Sequence, residues 1–212
     1  MSEIKPNKKE KIVLSLFYNR FYDLYEEISS EEFFNNNPEY RFLKIRETFS
    51  IYKELISYKP IKEYLIYVKN GGRPPLEGFI VDDLFSFIRN VLSHFPIFDS
   101  WEDVYISETL ATWNKGGTIH KFLLKSIKIK IDDSGAIKYR IWENSKNQMT
   151  YISINLPEEY DNLSKIFLKD IVSEKDGIKF CICFMKKILD TQVYLDKPED
   201  IAIMSQAYLP KK

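Results

Sequence analysis

The chain has 212 residues, 44% hydrophobic and 29% charged, the values of a globular protein and not of a disordered one. Lys plus Arg and Asp plus Glu are 31 each, so there is no broad basic surface for coating nucleic acid, although a small local phosphate site stays open. No apolar run approaches the roughly 20 residues that span a bilayer, and the opening MSEIKPNKKEK lacks the apolar region of a secretory signal, so a cytoplasmic protein with no membrane partner is expected.

The first half reads as helices. Between Asn7 and Ile28, apolar residues at Ile12, Leu16, Phe17, Phe21, Leu24 and Ile28 recur at the three-and-four spacing of one buried face. Ser29 to Pro38 interrupts that pattern with polar residues and a proline. A second helix is expected from Glu39 to Ser57, stopped by Pro60, which disfavours helix in the residue before it. A short helix over Ile61 to Val68 follows, and the NGGRPP of Asn70 to Pro75 is a break. A further helix starts between Leu76 and Phe79 and reaches His94, ahead of Pro96. Asp99 to Asn114 reads as another, with Asp99 or Ser100 as its cap and Asp103 in place of the usual Glu or Gln of a capping box, closed by Gly116-Gly117.

The periodicity then changes from helical to alternating. Ile127, Ile129 and Ile131, then Ile137, Tyr139 and Ile141, flank the turn formers of Asp132 to Gly135, a hairpin signal, and Met149 to Ile154 reads as a third strand. Two helices, about Pro157 to Val172 and Glu174 to Leu189, close the pattern, with Ser173 available as a cap for the second. The expected class is α+β, mainly α: one domain over 1–212, a helical bundle with a small antiparallel hairpin or meander at about 125–155 and C-terminal helices, the segment 118–156 being an insertion or extension. Aromatics make up 15% of the chain, enough large rings to fill such a core. Cys181 and Cys183, two apart in an apolar stretch, give neither a metal framework nor a disulfide pattern and read as buried hydrophobes.

The stretch Ile80 to Pro96, IVDDLFSFIRNVLSHFP, carries the chemistry. At about 100° per residue, Ile80, Leu84, Phe87, Ile88, Val91 and Phe95 share one side, widened by Phe85 and Leu92. The opposite sector holds Asp82, Asp83, Ser86, Arg89, Asn90, Ser93 and His94. Asn90 and His94 are one turn apart and therefore neighbours.

Arg89, then Asn90, three further residues and His94 near the end of an apolar helix resembles the signature of the HEPN family of RNA-cutting domains. The match covers about residues 76–113, where a Trp-containing helix after a short HFPIFDSW stretch fits the same picture. The strands lie outside that family's minimal helical core. The resemblance implies a helical bundle that pairs as a homodimer, with paired motif helices forming a cleft. It also implies metal-independent RNA cleavage with no cofactor, in toxin–antitoxin or phage-defence settings, with RNA and an antitoxin or regulatory protein as partners. Other members of the family have lost catalysis and serve as nucleotide- or protein-binding modules, which is the alternative expectation.

Elementary chemistry agrees with the implied roles. Metal-free RNA cleavage removes the 2′-hydroxyl proton and protonates the leaving 5′-oxygen. Histidine, with an ordinary pKa of about 6.5, suits either task. An arginine fork matches the negative charge of the transition state, and an asparagine amide can orient either partner. The catalytic set expected is Arg89, Asn90 and His94, with Ser86 and Ser93 as substrate-binding residues. One chain supplies one such histidine on this helix, and a twofold pairing would supply the second. Elsewhere, His120 reads as a surface or loop residue. Asp82 and Asp83 point in different directions on an ideal helix and read as a solvated face rather than a metal pair. Glu102 and Asp103 belong to a helix start, and NGGRPP lacks the Lys-Ser/Thr ending of a phosphate loop. Lys5, Lys8, Lys9 and Lys11 read as a solvated N-terminal face.

Overall fold

The computed structural model describes residues 6–70, 79–94, 100–106, 121–124, 136–143, 147–155, 165–195 and 201–203. Helix α1 (Lys8–Ser29) starts at a reciprocal cap. Asn7 Oδ1 accepts the Lys9 and Glu10 N–H groups at 2.9 and 3.0 Å, and the Asn7 N–H donates back to Glu10 at 2.7 Å, so donors orphaned at the helix start are satisfied. The polar interruption forms a 3₁₀ turn, Glu32–Asn35, that buries Phe33. Helix α2 (Pro38–Ser57) has proline in its first turn and Asn37 as its cap, accepting from the Tyr40 N–H at 2.8 Å. Helix α3 (Lys59–Asn70) takes Pro60 into its own first turn, where a missing N–H costs nothing, so the proline starts this helix as much as it ends the previous one.

The expected buried face of α1 is corrected by the coordinates. Phe21, Leu24 and Ile28 are buried as anticipated, joined by Leu14, but Ile12 and Leu16 are 54% and 65% exposed. The stripe shifts because Ile12 and Leu16 lie well around the helix from Phe21; three-and-four spacing alone lets a stripe drift.

A six-residue π-helical turn, Phe79–Leu84, leads into helix α4 (Phe85–His94). Phe85, Phe87, Ile88, Val91 and Leu92 are all buried. The Phe85 ring lies edge-to-face against Phe49 and Tyr52 of α2, at 5.9 and 5.5 Å between centroids, and against Phe184 at 6.1 Å. Phe184 belongs to helix α6 (Asp176–Gln192), whose buried residues run from Ile178 to Leu189 around most of its circumference, as expected of a central helix. Ser173 acts where a cap was expected: its Oγ accepts the Gly177 N–H at 2.9 Å. A Cβ at Gly177 would run into the buried Val172 side chain. Gly177→Ala is therefore expected to lower stability by about 1–3 kcal/mol through overpacking, read as a shift of the urea midpoint at unchanged slope.

The expected helix over 99–114 is absent from its described part. Ser100 caps a single 3₁₀ turn, Trp101–Asp103, after which the chain becomes strand β1 (Tyr105–Ile106). The Asp103 carboxylate is a poor substitute for Glu at the third helical position, and Val104-Tyr105-Ile106 favours extended backbone. Long-range partners complete the override. Trp101 Nε1 donates to Val172 O at 3.0 Å, and Leu168 N–H donates to Val104 O at 2.8 Å. β1 pairs antiparallel with β4 (Ile166–Phe167), Tyr105 opposite Phe167. The helix expected up to Val172 is accordingly only the short α5 (Leu168–Ile171) in its described part.

The described part of the strand region is an antiparallel hairpin. β2 (Ala136–Glu143) pairs with β3 (Gln148–Asn155), Tyr139 opposite Ile152, around a turn where Asn147 adopts φ 49°, a left-handed conformation that Asn tolerates. The stretch read as a third strand is thus the partner of the 137–141 run. The 127–131 run and the Asp132 to Gly135 turn lie outside the described residues. A third antiparallel pair, β5 (Val193–Leu195) with β6 (Ile201–Ile203), was not anticipated. The protein is α+β and mainly α. Among the described residues, no helix is long and apolar enough to cross a membrane.

Two polar ties fix the 3₁₀ turn and α2 to the start of α6. Arg41 forks onto Glu174 at 2.7 and 3.2 Å and also donates to Phe34 O and Asn36 O. Glu31 accepts from Lys175 at 2.9 Å and from Lys179, and these hydrogen bonds hold its carboxyl at about 2 instead of 4.5. A carboxyl depressed in the fold favours the fold above its unfolded value, and that contribution drains as pH falls from 4.5 towards 2. Glu31→Gln is expected to flatten the pH dependence of the urea midpoint across this window, with NMR of the wild-type carboxyl titrating near the lower end.

Candidate functional site

The polar face of the π turn and α4 lines a cleft of about 410 Å³, with Lys53 of α2 on one wall and Lys121 and Phe122 of the helical turn at 121–124 on the other. That volume is in the range of small-ligand sites. The turn at 121–124 is fixed by stacking: the Phe122 ring lies over Phe87 at 4.4 Å and 24° between planes, and both are buried.

Five residues of the expected polar sector line this cleft together: Asp82, Asp83, Ser86, Arg89 and Asn90. Both aspartates sit on the π turn that leads into the helix. Lys53 was missed. Its ammonium donates to Ser86 Oγ at 2.8 Å and to Asp82 Oδ1 at 3.2 Å. Nothing local in the sequence marks Lys53 as a site residue, because its placement depends on how α2 crosses α4. Asp82 also bears on Tyr52, whose hydroxyl is pushed well above its ordinary value by burial first and by the Asp82 charge second.

Arg89 is the focus of the cleft. Its Nη1 donates to Asn90 Oδ1 at 3.2 Å, so the asparagine amide orients the guanidinium. Its Nε is buried and has no hydrogen-bond acceptor. Leaving a charged N–H unsatisfied away from water costs on the order of 1–3 kcal/mol, so the fork has free energy to gain by turning onto an oxyanion. Ser86 is buried and engaged by Lys53. Ser93 does not belong to the cleft lining; its hydroxyl donates to the Arg89 carbonyl at 2.8 Å. That bond runs one turn back along the helix to the backbone carbonyl. His94 is the last residue of α4; its side chain, like all of His120 and of residues 71–75, lies outside the described residues.

Among the described lining residues, three cations, Lys53, Arg89 and Lys121, stand with two carboxylates, Asp82 and Asp83, one positive charge in excess. The described lining is therefore suited to an anionic group, such as one phosphate of a chain, flanked by hydrogen-bond donors. Cys181 is buried and Cys183 half-buried, both as free thiols, and burial pushes the Cys181 thiol far up, which keeps it unreactive. Comparison with family models, with curated proteins and with solved structures gives no match to this chain.

Proposed function

We propose that this chain is a metal-independent endoribonuclease of HEPN type, acting on RNA as a homodimer in a toxin–antitoxin or phage-defence setting. One observation supports this reading above the others. The Arg89-Asn90 pair of the family-like motif lies in a cleft with Lys53 and Lys121, its guanidinium oriented by Asn90 and short of an acceptor. That is the arrangement a scissile phosphate needs.

In this reading the Arg89 fork neutralises charge building on the phosphoryl oxygens, and Lys53 and Lys121 add to the local field. The 2′-oxygen attacks phosphorus as the bond to the 5′-oxygen breaks. His94, or its counterpart on a second copy, takes the 2′ proton or delivers the proton the 5′-oxygen needs. The products carry a 2′,3′-cyclic phosphate and a 5′-hydroxyl.

A second reading, a non-catalytic module that binds a nucleotide or a protein, draws on the mutual engagement of the cleft groups. Lys53 already rests on Ser86 and Asp82, and Arg89 on Asn90. The two part company in one experiment. Purified protein is incubated with RNA in EDTA, beside His94→Ala checked for unchanged fold and assembly. Cleavage lost in the variant supports the nuclease; tight nucleotide binding with no turnover in either protein favours the module.

A further inference from the structure

Helix α1 carries three exposed apolar side chains on one side. Ile12, Val13 and Leu16 are 54%, 48% and 65% exposed, while Leu14, Phe21, Leu24 and Ile28 fill the core from the other side. At about 100° per residue, Lys9, Ile12, Val13, Leu16, Arg20 and Asp23 share one sector. Neighbouring exposed apolar side chains are the kind of feature a contact surface uses.

The charges around the stripe say what covers it. Exposed Lys8 and Lys9 lie towards the N-terminal end, and exposed Asp23 and Glu26 towards the other. Leu16 is midway, about 10.5 Å along the axis from Lys9 and from Asp23 at 1.5 Å per residue. We infer that a second copy of this chain docks antiparallel on this stripe, with a twofold axis passing near Leu16.

Lys9 is then level with Asp23 of the partner subunit, and the twofold repeats the pair on the other side. A parallel arrangement would set Lys9 against its own copy, so charge selects the orientation as flanking charges do in coiled coils. An anionic membrane would attract the lysine end but repel Asp23 and Glu26, which favours the second copy over a bilayer. No α1 residue lines the cleft, so this contact is separate from the cleft pairing of the proposed function and does not rest on it.

Sedimentation of the full chain over rising concentration tests it, with Leu16→Glu, Lys9→Glu and the double variant Lys9→Glu, Asp23→Lys. Wild type is expected to associate beyond its 25.2 kDa monomer, and Leu16→Glu to halve the assembly: dimer to monomer, or tetramer to dimer where cleft pairing also holds. Lys9→Glu is expected to weaken association roughly fivefold, and the double variant to restore it. Circular dichroism stays unchanged, because all three positions are exposed. Three results would overturn the inference: one assembly state shared by wild type and Leu16→Glu, a wild type monomeric at every concentration, or a double variant no better than Lys9→Glu. Binding to phosphatidylserine vesicles that Leu16→Glu abolishes, with no change in assembly, would overturn it in favour of the membrane.

Discussion

Arg89→Ala is expected to lower RNA cleavage by ~10²–10³-fold, the loss that follows removal of one preorganised donor from a transition-state anion, while leaving stability nearly untouched. The two halves of that expectation have different sources. In the resting protein the Arg89 side chain makes one long hydrogen bond, 3.2 Å to its neighbour Asn90, and holds a buried Nε without an acceptor. Truncation thus removes little that stabilises the fold and relieves an unsatisfied donor. The effect should fall on kcat more than on KM, since the fork gains its acceptor as charge develops. Arg89→Lys should recover only part of the rate, because an ammonium is a point charge and cannot span two phosphoryl oxygens. Single-turnover cleavage beside urea unfolding reads both quantities. A large stability loss in Arg89→Ala would mean that the arginine is structural.

Phe85→Ala should be the most destabilising single change in the described helices, at about 3–5 kcal/mol. Phe85 is 2% exposed and stands at the junction of α2, α4 and α6, edge-to-face with Phe49, Tyr52 and Phe184. Its removal costs the transfer free energy of a phenyl group, leaves a cavity that three rigid rings cannot collapse to fill, and breaks three ring contacts. For a chain of this size the melting temperature should fall roughly 6–20 °C. The same cavity lies one residue from Ser86, so the Lys53–Ser86 contact and the cleft wall should loosen with it. Calorimetry gives the first effect. The second appears as weaker oligonucleotide binding at temperatures where the variant is still folded.

The helical elements with local signals were legible from the sequence. The apolar recurrence marks α1 and α2, and the apolar pattern from Leu84 to Leu92 the buried side of α4. The polar sector of Asp82, Ser86, Arg89 and Asn90 was readable for the same reason: helical spacing is local information. What failed was set by distant partners. Trp101 reaches Val172 and Val104 reaches Leu168, so β1 and β4 replace turns of helix that propensity alone suggested. Lys53, 33 positions from Ser86, enters the cleft through the crossing of α2 and α4. Spacing places the Ser93 hydroxyl on the polar face without saying that it will bond its own helix.

The chemistry of the cut ends tests the account most directly. RNA incubated with the purified wild-type chain in EDTA should yield fragments ending in 2′,3′-cyclic phosphate and starting with 5′-hydroxyl, the products of attack by the neighbouring 2′-oxygen. Fragments starting with 5′-phosphate, cleavage that appears only when a divalent cation is added, or RNA left intact would contradict it.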